Sequence, residues 1–293
     1  MTGVAGFIGS RIADAMLGHG HEVAGVDDLS TGRHGNVAAG VDFIEGDIRN
    51  GIPQDRWDVI YHCAASYRDR GDWERDASVN VGATIRVVRE AQRCGAKVVY
   101  LQTSLCYGPE PESPVQVGAP LDPRGSYAVS KTAGERYIMD SGVPFVSLRL
   151  ANVYGPRNLS GPVPVFWKRL SEGRPCTVVD ARRDFVYVDD MVWVAALSAT
   201  QGSGVYHVSH GADVSIAALY RAVGDAMGID AAGAEAVPRG PDDVATLLLD
   251  PARTRGEFGW EARTPLEEGV RRAVEWYAEN GVTATYTHLA MKG

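Results

Sequence analysis

A tyrosine and a lysine four residues apart carry the clearest chemical signal in this sequence. Tyr127 and Lys131 lie in GSYAVSKTAGE, where helical spacing predicts that both side chains project from one face. A lysine ammonium beside a phenol stabilises the phenolate and lowers the phenol pKa from ~10 toward neutrality. Such a tyrosine can take a proton from a substrate hydroxyl. The same spacing also occurs in ordinary surface pairs, so its meaning depends on the surrounding motifs.

Three glycines near Met1 have the spacing of a phosphate-binding loop. Gly3, Gly6 and Gly9 fit G-x-x-G-x-x-G ahead of a helical stretch. Glycines let the backbone approach a pyrophosphate, which the N–H groups of the helix N-terminus then bind. A carboxylate about 20 positions further on can bind a ribose diol, and Asp27 in AGVDD supplies it. Because a carboxylate there repels a 2′-phosphate, we expect NAD. Arg33 leaves NADP as the alternative.

Strand and helix patterns alternate around these motifs. Helical spacing is found in IADAMLGH, VNVGATIRVVREAQRC and SYAVSKTAGERYIMDS. The nearly continuous apolar runs between them predict buried parallel strands at 21–27, 41–47, 58–65, 97–104 and 144–152. This alternation predicts an α/β protein with a Rossmann-type doubly wound parallel sheet.

The pattern changes after residue 152, where prolines and glycines cluster and the helices become isolated. We predict an NAD-binding domain over 1–152 and a smaller, interleaved C-terminal lobe over 153–293, with part of 178–212 returning to the first domain. Met1 stands almost directly before Gly3, where a buried central strand normally leads into such a loop. We therefore expect the first strand to be truncated, either because residues are missing upstream or because the protein tolerates a stunted strand.

The composition argues against several classes of partner. Of the 293 residues, 45% are apolar and 23% are charged, and the formal net charge is −8. That charge disfavours nucleic acid or an anionic membrane surface as the main partner. No apolar run approaches the ~18 residues of a membrane span, and nothing at the N-terminus reads as a signal peptide. The sequence has no C-x-x-C or H-E-x-x-H motif. We expect a cytoplasmic protein with reduced cysteines and no metal site.

Taken together, the motifs resemble the extended short-chain dehydrogenase/reductase family, in its nucleotide-sugar epimerase/dehydratase branch. The resemblance runs from residue 2 to about residue 277. It implies tightly held NAD, a C-terminal lobe that binds a nucleoside diphosphate (NDP) sugar, and a homodimer. The blocks that carry it are, in order, TGVAGFIGS, VDDLSTG, GDI, YHCAAS, VNVGAT, TSLCYG, YAVSK, RLANVYGPR, RDFVYVDD and VPRGPDD.

The resemblance also implies roles for individual residues. Thr103 would hydrogen-bond O4 of the sugar and share its proton with Tyr127, and Lys131 would also hold the nicotinamide ribose. These three are the implied catalytic residues. The implied substrate-binding residues are Thr103, Ser104, Asn152, Arg183 and Arg239. Besides Tyr127 and Lys131, the implied cofactor-binding residues are Gly3, Gly6, Phe7, Ile8, Gly9, Asp27, Asp47, Ile48, Ala64, Ala65 and Asn80.

The residues after Thr103 bear on the reaction. Dehydratases of the family usually carry an Asp-Glu pair there, whereas this chain has Ser104 and Leu105, which cannot act as acid and base. We therefore predict a 4-epimerase of the UDP-glucose/UDP-galactose type, acting through a transient 4-keto sugar. One alternative is an NDP-sugar dehydratase or 4-reductase that uses Cys106 or Glu135. Another is a non-catalytic, NAD-sensing protein.

Overall fold

The structure is a computed structural model that describes residues 1–67, 69, 71–109, 111–231, 234–239, 244–282 and 284–285. Strands and helices alternate along the first two thirds of the chain. The strands are β1 (Val23–Asp27), β2 (Val41–Glu45), β3 (Val59–His62), β4 (Lys97–Thr103), β5 (Phe145–Leu150), β6 (Asn152–Tyr154), β7 (Thr177–Val179), β8 (Arg182–Tyr187), β9 (Gly204–Val208), β10 (Asp213–Ser215), β11 (Glu235–Val237) and β12 (Thr246–Leu247).

The helices begin with α1, directly after the glycine loop. A π-helical segment, Ala77–Ala83, joins α2 to α3, so the predicted helix over 79–94 is continuous but changes its hydrogen-bond pattern at Thr84. The helices are α1 (Phe7–Gly18), α2 (Trp73–Asp76), α3 (Thr84–Cys94), α4 (Gly125–Asp140), α5 (Pro162–Ser171), α6 (Val188–Leu197), α7 (Ile216–Met227), α8 (Ala252–Phe258) and α9 (Leu266–Asn280).

Six of these strands form a parallel sheet, which confirms the predicted fold class. β1 pairs with β2, and β3, β4, β5 and β9 pair in that order. Val98 and Tyr100 of β4 belong to one apolar core, and Val99 and Leu101 to another. Because successive strand residues point to opposite faces, the sheet is covered on both sides, as in a doubly wound fold.

The sheet is interrupted between β1 and β3, where Thr2 bridges Val26 and His62. The amino group of Met1 donates a hydrogen bond to the Ala24 carbonyl at 2.6 Å, and its burial lowers the amine pKa to about 6. Beyond Met1 an opening continues between the two strands and is lined by apolar side chains, Trp57 among them.

The C-terminal elements form a second group beside the main sheet. β8 pairs with β6, β10 and β12, and β7 pairs with β11. Helices α5, α7 and α9 pack on one another around buried Tyr277. β9 returns to the main sheet beside β5, and α6 packs on α1. In the part of the chain that the structure describes, no helix has the length and apolar character needed to cross a bilayer.

Candidate active site

Thr103 is the last residue of β4, and its side chain faces Tyr127 of α4. The Thr103 hydroxyl accepts a hydrogen bond from the Leu105 amide at 3.2 Å, which starts the tight turn Ser104–Tyr107. The Thr103 amide donates to Gln102 Oε1 at 2.8 Å. These contacts fix the hydroxyl at the carboxyl end of the strand. Cofactors and substrates bind at this edge of a doubly wound sheet.

Tyr127 lies in the first turns of α4 and is partly exposed. Burial of its phenol raises the Tyr127 pKa above the ordinary value, and the nearby Tyr67 and Asp76 raise it further. Hydrogen bonding with the Thr103 hydroxyl acts in the opposite direction. The Tyr67 ring meets the Tyr127 ring edge-on, with 6.2 Å between centroids. Without a bound cation, the phenol is therefore held in its protonated form.

Lys131 lies one turn after Tyr127 and is almost fully buried. Its ammonium stands over the face of the Tyr100 ring, 3.9 Å from the centroid. The Lys131 carbonyl accepts hydrogen bonds from the Tyr100 hydroxyl at 3.0 Å and from Gln102 Nε2 at 3.2 Å. Burial lowers the Lys131 pKa to about 7, while Cys63 and Glu135 act to raise it. Because this pKa lies near neutral pH, the side chain can both hold and release a proton.

The glycine loop has the shape that the spacing predicted. Gly3 adopts φ +68°, and a Cβ there would lie 2.6 Å from the Ala64 backbone nitrogen. A Cβ on Gly9 would lie 2.1 Å from the Gly3 carbonyl oxygen, so both positions require glycine. Gly6 precedes α1 and provides no side-chain cap for its first N–H groups. Those N–H groups suit a pyrophosphate, so the loop fits the phosphate part of NAD.

Asp27 ends β1 beside this loop. Its Oδ2 accepts a hydrogen bond from the Ala5 amide at 2.9 Å, and its Oδ1 accepts one from the Leu29 amide at 2.9 Å. Burial is the main cause that raises the Asp27 pKa, and these amides oppose it. Each carboxylate oxygen has a further lone pair that can accept a hydrogen bond from a ribose hydroxyl. The two amides thus hold the Asp27 carboxylate at the end of β1, beside the glycine loop.

A buried hydrogen-bond chain connects the glycine loop to the π-helical segment. Thr84 donates its one hydroxyl proton to the Asn80 carbonyl at 2.7 Å, so it accepts from His62 Nε2 at 2.8 Å. Because the imidazole is neutral, Nδ1 accepts from the Thr2 hydroxyl at 2.7 Å. Burial lowers the His62 pKa to about 3, with the charges of Lys131 and the Met1 amine acting the same way.

The Asn80 side chain extends this chain of bonds to α4. Its Oδ1 accepts from the Ser66 amide at 2.8 Å, and its Nδ2 donates to the Ser66 carbonyl and to Ser130 Oγ at 2.9 Å each. Ser130 Oγ also bonds the Tyr127 carbonyl at 3.0 Å. The side chain of Asn80, predicted to bind the cofactor, therefore joins the loop after β3 to the helix that carries Tyr127.

Other predicted cofactor-binding residues lie around the loop. Ile48 is buried, and Ala64 and Ala65 follow β3 and are partly buried. Asp47 forms an ion pair with Arg49, with 2.6 Å between Oδ2 and Nη2, and this pair lowers the Asp47 pKa. Asp47 thus has a structural partner of its own.

The predicted substrate-binding residues are more dispersed. Ser104 is buried directly after Thr103. Asn152 Nδ2 donates to the Asp184 carbonyl at 3.0 Å, so it joins β6 to β8. Arg183 is partly exposed on β8 and donates to the Arg182 carbonyl at 2.8 Å. Arg239 is exposed. These hydrogen bonds of Asn152 and Arg183 are made to backbone carbonyls.

Sequence reasoning missed Tyr67 and Asp76, which both act on Tyr127. Tyr67 follows β3 at the same sheet edge as Thr103, so the rule that carboxyl ends of parallel strands meet at one edge could have found it.

The two candidate acid–base residues of the alternative reaction, Cys106 and Glu135, are both buried. Cys106 is fully buried, and burial raises its thiol pKa to about 12. Glu135 is bound to Arg149 and Ser147.

Comparison with known proteins gives concordant results. A family model, the NAD dependent epimerase/dehydratase family, matches residues 1–209. A UDP-glucose 4-epimerase of Mycolicibacterium smegmatis is 33% identical, over 94% of this chain and 97% of its own length. The Bordetella bronchiseptica enzyme WbmH, solved with NAD+, is 42% identical with a TM-score of 0.90, over 96% of this chain and 98% of its own. WbmG from the same organism, solved with NAD and UDP, is 37% identical with a TM-score of 0.90, over 99% and 98%.

Proposed function

The chain belongs to the NAD-dependent epimerase/dehydratase family, and we propose that it is a UDP-hexose 4-epimerase of the UDP-glucose/UDP-galactose type. The observation that carries this proposal is the pairing of Thr103 with Tyr127 at the end of β4, followed by Ser104 and Leu105. This site has groups to move one proton at a sugar hydroxyl. It has no acid–base pair next to Thr103 with which to eliminate water.

The proton steps fall to the residues described above. NAD, held by the glycine loop and Asp27, would supply the acceptor and then the donor of the C4 hydride. Tyr127 takes the proton of the C4 hydroxyl and later gives it back, while Thr103 hydrogen-bonds the same oxygen. Lys131, with a pKa of about 7, supplies positive charge beside the phenol and holds the nicotinamide ribose. Between the two hydride transfers the 4-keto sugar rotates in the site. It takes the hydride back on its opposite face, so the configuration at C4 inverts.

The cofactor contacts follow the same proposal. The loop of Gly3, Gly6 and Gly9, with the N–H groups of Phe7 and Ile8, would hold the pyrophosphate. Asp27 would bind the adenine ribose, since both its oxygens are already oriented by backbone amides. The remaining members of the proposed cofactor site are Asp47, Ile48, Ala64, Ala65 and Asn80.

The burial of Cys106 and the partners of Glu135 disfavour the dehydratase or reductase alternative. Cys106 is fully buried and its thiol pKa is raised to about 12, so it is a poor acid–base group at neutral pH. The Glu135 carboxylate is occupied by Arg149 and by Ser147 Oγ. Neither residue that the alternative requires is free to move a proton at the sugar.

We propose that the nucleotide of the sugar substrate is UDP. UDP is the nucleotide in the name of the M. smegmatis relative and in the WbmG structure, which supports a UDP-sugar here. Asn152, Arg183 and Arg239 remain the proposed substrate-binding residues.

We also propose a cytoplasmic homodimer. Val129 and Tyr137 are each about half exposed on the outer side of α4 and supply apolar surface for a second copy.

The test is to incubate the protein with UDP-glucose in D₂O without added cofactor and to follow proton NMR. UDP-galactose formed without deuterium incorporation supports the proposal, whereas deuterium at C5 or loss of water supports a dehydratase. Tyr127→Phe should lower turnover by roughly 10²–10⁴-fold. Tyr137→Phe, on the exposed side of the same helix, is the matched control. It keeps the apolar ring proposed for the dimer contact and should leave turnover unchanged. No product from UDP-glucose or from other NDP-hexoses would refute the proposal.

A further inference from the structure

A buried carboxylate near the proposed catalytic tyrosine has one oxygen without a partner. Asp76 is 1% exposed, and among the residues that the structure describes its Oδ1 has no hydrogen-bond partner. A buried carboxylate oxygen without a hydrogen bond is rare in folded proteins and calls for an explanation. Its location indicates one.

Asp76 is the last residue of α2, at the junction with the π-helical segment. α2 packs against α4, the helix that carries Tyr127. One turn after Asp76, the Asn80 side chain binds Ser130 of α4, so the carboxylate is held beside the start of that helix. π-helical segments within α-helices are frequently found at functional sites.

A second buried carboxylate near the site shows the contrast. Glu135 lies two turns after Tyr127 on α4, and Arg149 neutralises it, with 2.7 Å between Oε2 and Nη2. Ser147 and the Arg149 Nε atom occupy its other oxygen. The field of Glu135 is therefore largely cancelled by its partner. Among the described residues no cation forms an ion pair with Asp76, and its charge acts to raise the Tyr127 pKa.

The other titratable groups around Tyr127 come from every element that packs on it. Burial raises the Tyr127 pKa most, Tyr67 and then Asp76 raise it further, and the hydrogen bond with Thr103 lowers it. Further titratable groups nearby are Tyr100 of β4, whose own pKa Tyr127 raises, Lys131 of α4, and Cys63 and Glu135, which act on Lys131.

We propose that Asp76 is a positioning residue whose unpaired carboxylate keeps the Tyr127 phenol protonated until the positively charged cofactor is in place. A negative charge disfavours the phenolate, and the cation of oxidised nicotinamide offsets it. Tyr127 then becomes a base only in the loaded site. The inference rests on the proposed role of Tyr127, but it concerns that residue's ionisation and can be measured without any sugar.

The test is a titration of Tyr127 in the NAD-loaded protein, with ¹³C label at the tyrosine ring carbon that bears the hydroxyl. Tyr127→Phe identifies the resonance. Asp76→Asn removes the charge and keeps the shape, and we expect it to lower the Tyr127 pKa by about one unit. If Asn is not tolerated, Asp76→Ser removes the same charge. Glu74→Gln, at an exposed position of the same helix, is the control and should leave the titration unchanged.

The same shift should appear in the kinetics. The acid limb of the kcat/KM profile should move to lower pH in Asp76→Asn by the amount that the NMR titration shows. A folded Asp76→Asn protein whose Tyr127 titrates as in the wild type would overturn the inference. A protein that turns over no NDP-sugar but shows the NMR shift would instead refute the proposed function and leave the role of Asp76 intact.

Discussion

Arg149 and Glu135 form a buried ion pair that fastens α4 to the central sheet. Arg149 Nη2 lies 2.7 Å from Glu135 Oε2, and the two side chains are 4% and 1% exposed. Arg149 Nη1 also donates to the Tyr107 hydroxyl at 2.6 Å, and that hydroxyl lies 2.6 Å from His207 Nε2. The helix that carries Tyr127 is thus held to β5 by charge as well as by apolar packing.

Removing one member of this pair should destabilise the protein strongly. We expect Glu135→Gln to lower the free energy of unfolding by about 3–5 kcal/mol, because it leaves the Arg149 guanidinium buried without a counter-charge. Asp140→Asn is the matched control on the same helix, since Asp140 pairs with Arg136 at 2.9 Å in an exposed position. It should cost less than about 1 kcal/mol. Urea unfolding measures the free energy of unfolding of both variants. Equal losses would show that the buried pair stabilises the protein no more than the exposed pair does.

His62 should make stability depend on pH. Its pKa is about 3 in the folded protein, against an ordinary value of about 6.5, so the unfolded chain binds the extra proton between these values. The free energy of unfolding therefore falls as the pH drops below about 6.5, by about 2 kcal/mol between pH 7 and pH 5 from His62 alone.

The variant His62→Asn isolates this contribution. It should be less stable at pH 7, because the bonds to Thr2 and Thr84 are lost, and its stability should change less between pH 7 and pH 5. His19→Asn, at an exposed site, should keep the wild-type dependence. Urea unfolding at both pH values is the measurement. If His62→Asn kept the full wild-type slope, the neutral, bonded imidazole described here would be wrong.

The sequence predicted the family, the parallel sheet and the glycine loop because each depends on local patterns. The helical stretch that the sequence predicts up to Cys94 does end there, because Gly95 follows at φ +77°, a conformation that favours glycine. The NAD cofactor followed from the glycine loop and from Asp27 at the end of the strand after it. The family comparison confirms that cofactor.

Long-range partners were not predictable in the same way. Nothing in the local sequence says that Glu135 meets Arg149, or that His62 joins Thr2 to Thr84, because these contacts exist only after the strands pair. The unpaired state of Asp76 is of the same kind. The sequence-based hypothesis that Cys106 or Glu135 could act as acid or base treated them as accessible, whereas burial and pairing decide their chemistry.

Asp27 should govern cofactor affinity. We expect Asp27→Asn to raise the NAD dissociation constant about tenfold, corresponding to about 1.4 kcal/mol, because one acceptor oxygen becomes a donor. Asp28→Asn changes the charge by the same amount at the next, exposed residue and should have little effect. Calorimetric titration of protein stripped of cofactor measures both. Equal effects of the two substitutions would remove Asp27 from the cofactor site.

The opening between β1 and β3 should accommodate a short strand added ahead of Met1. Four β-branched residues fused ahead of Met1 would pair with both neighbours and replace the buried amine, whose pKa is about 6, by an amide. We expect a gain of about 2 kcal/mol, which is about 5 °C in Tm. A polar Gly-Asp extension of equal length is the control for added mass. A melting temperature that rises equally with both extensions, or with neither, would count against strand insertion.

In the proposed reaction the hydride leaves C4 of the sugar and returns to C4, and isotope labelling can follow it. The substrate is UDP-glucose carrying deuterium at C4, incubated with the protein, and the product is analysed by NMR and mass spectrometry. We expect UDP-galactose that retains the deuterium at C4. Deuterium found at C6 of a product lighter by one water, or lost to solvent, would contradict the proposed reaction.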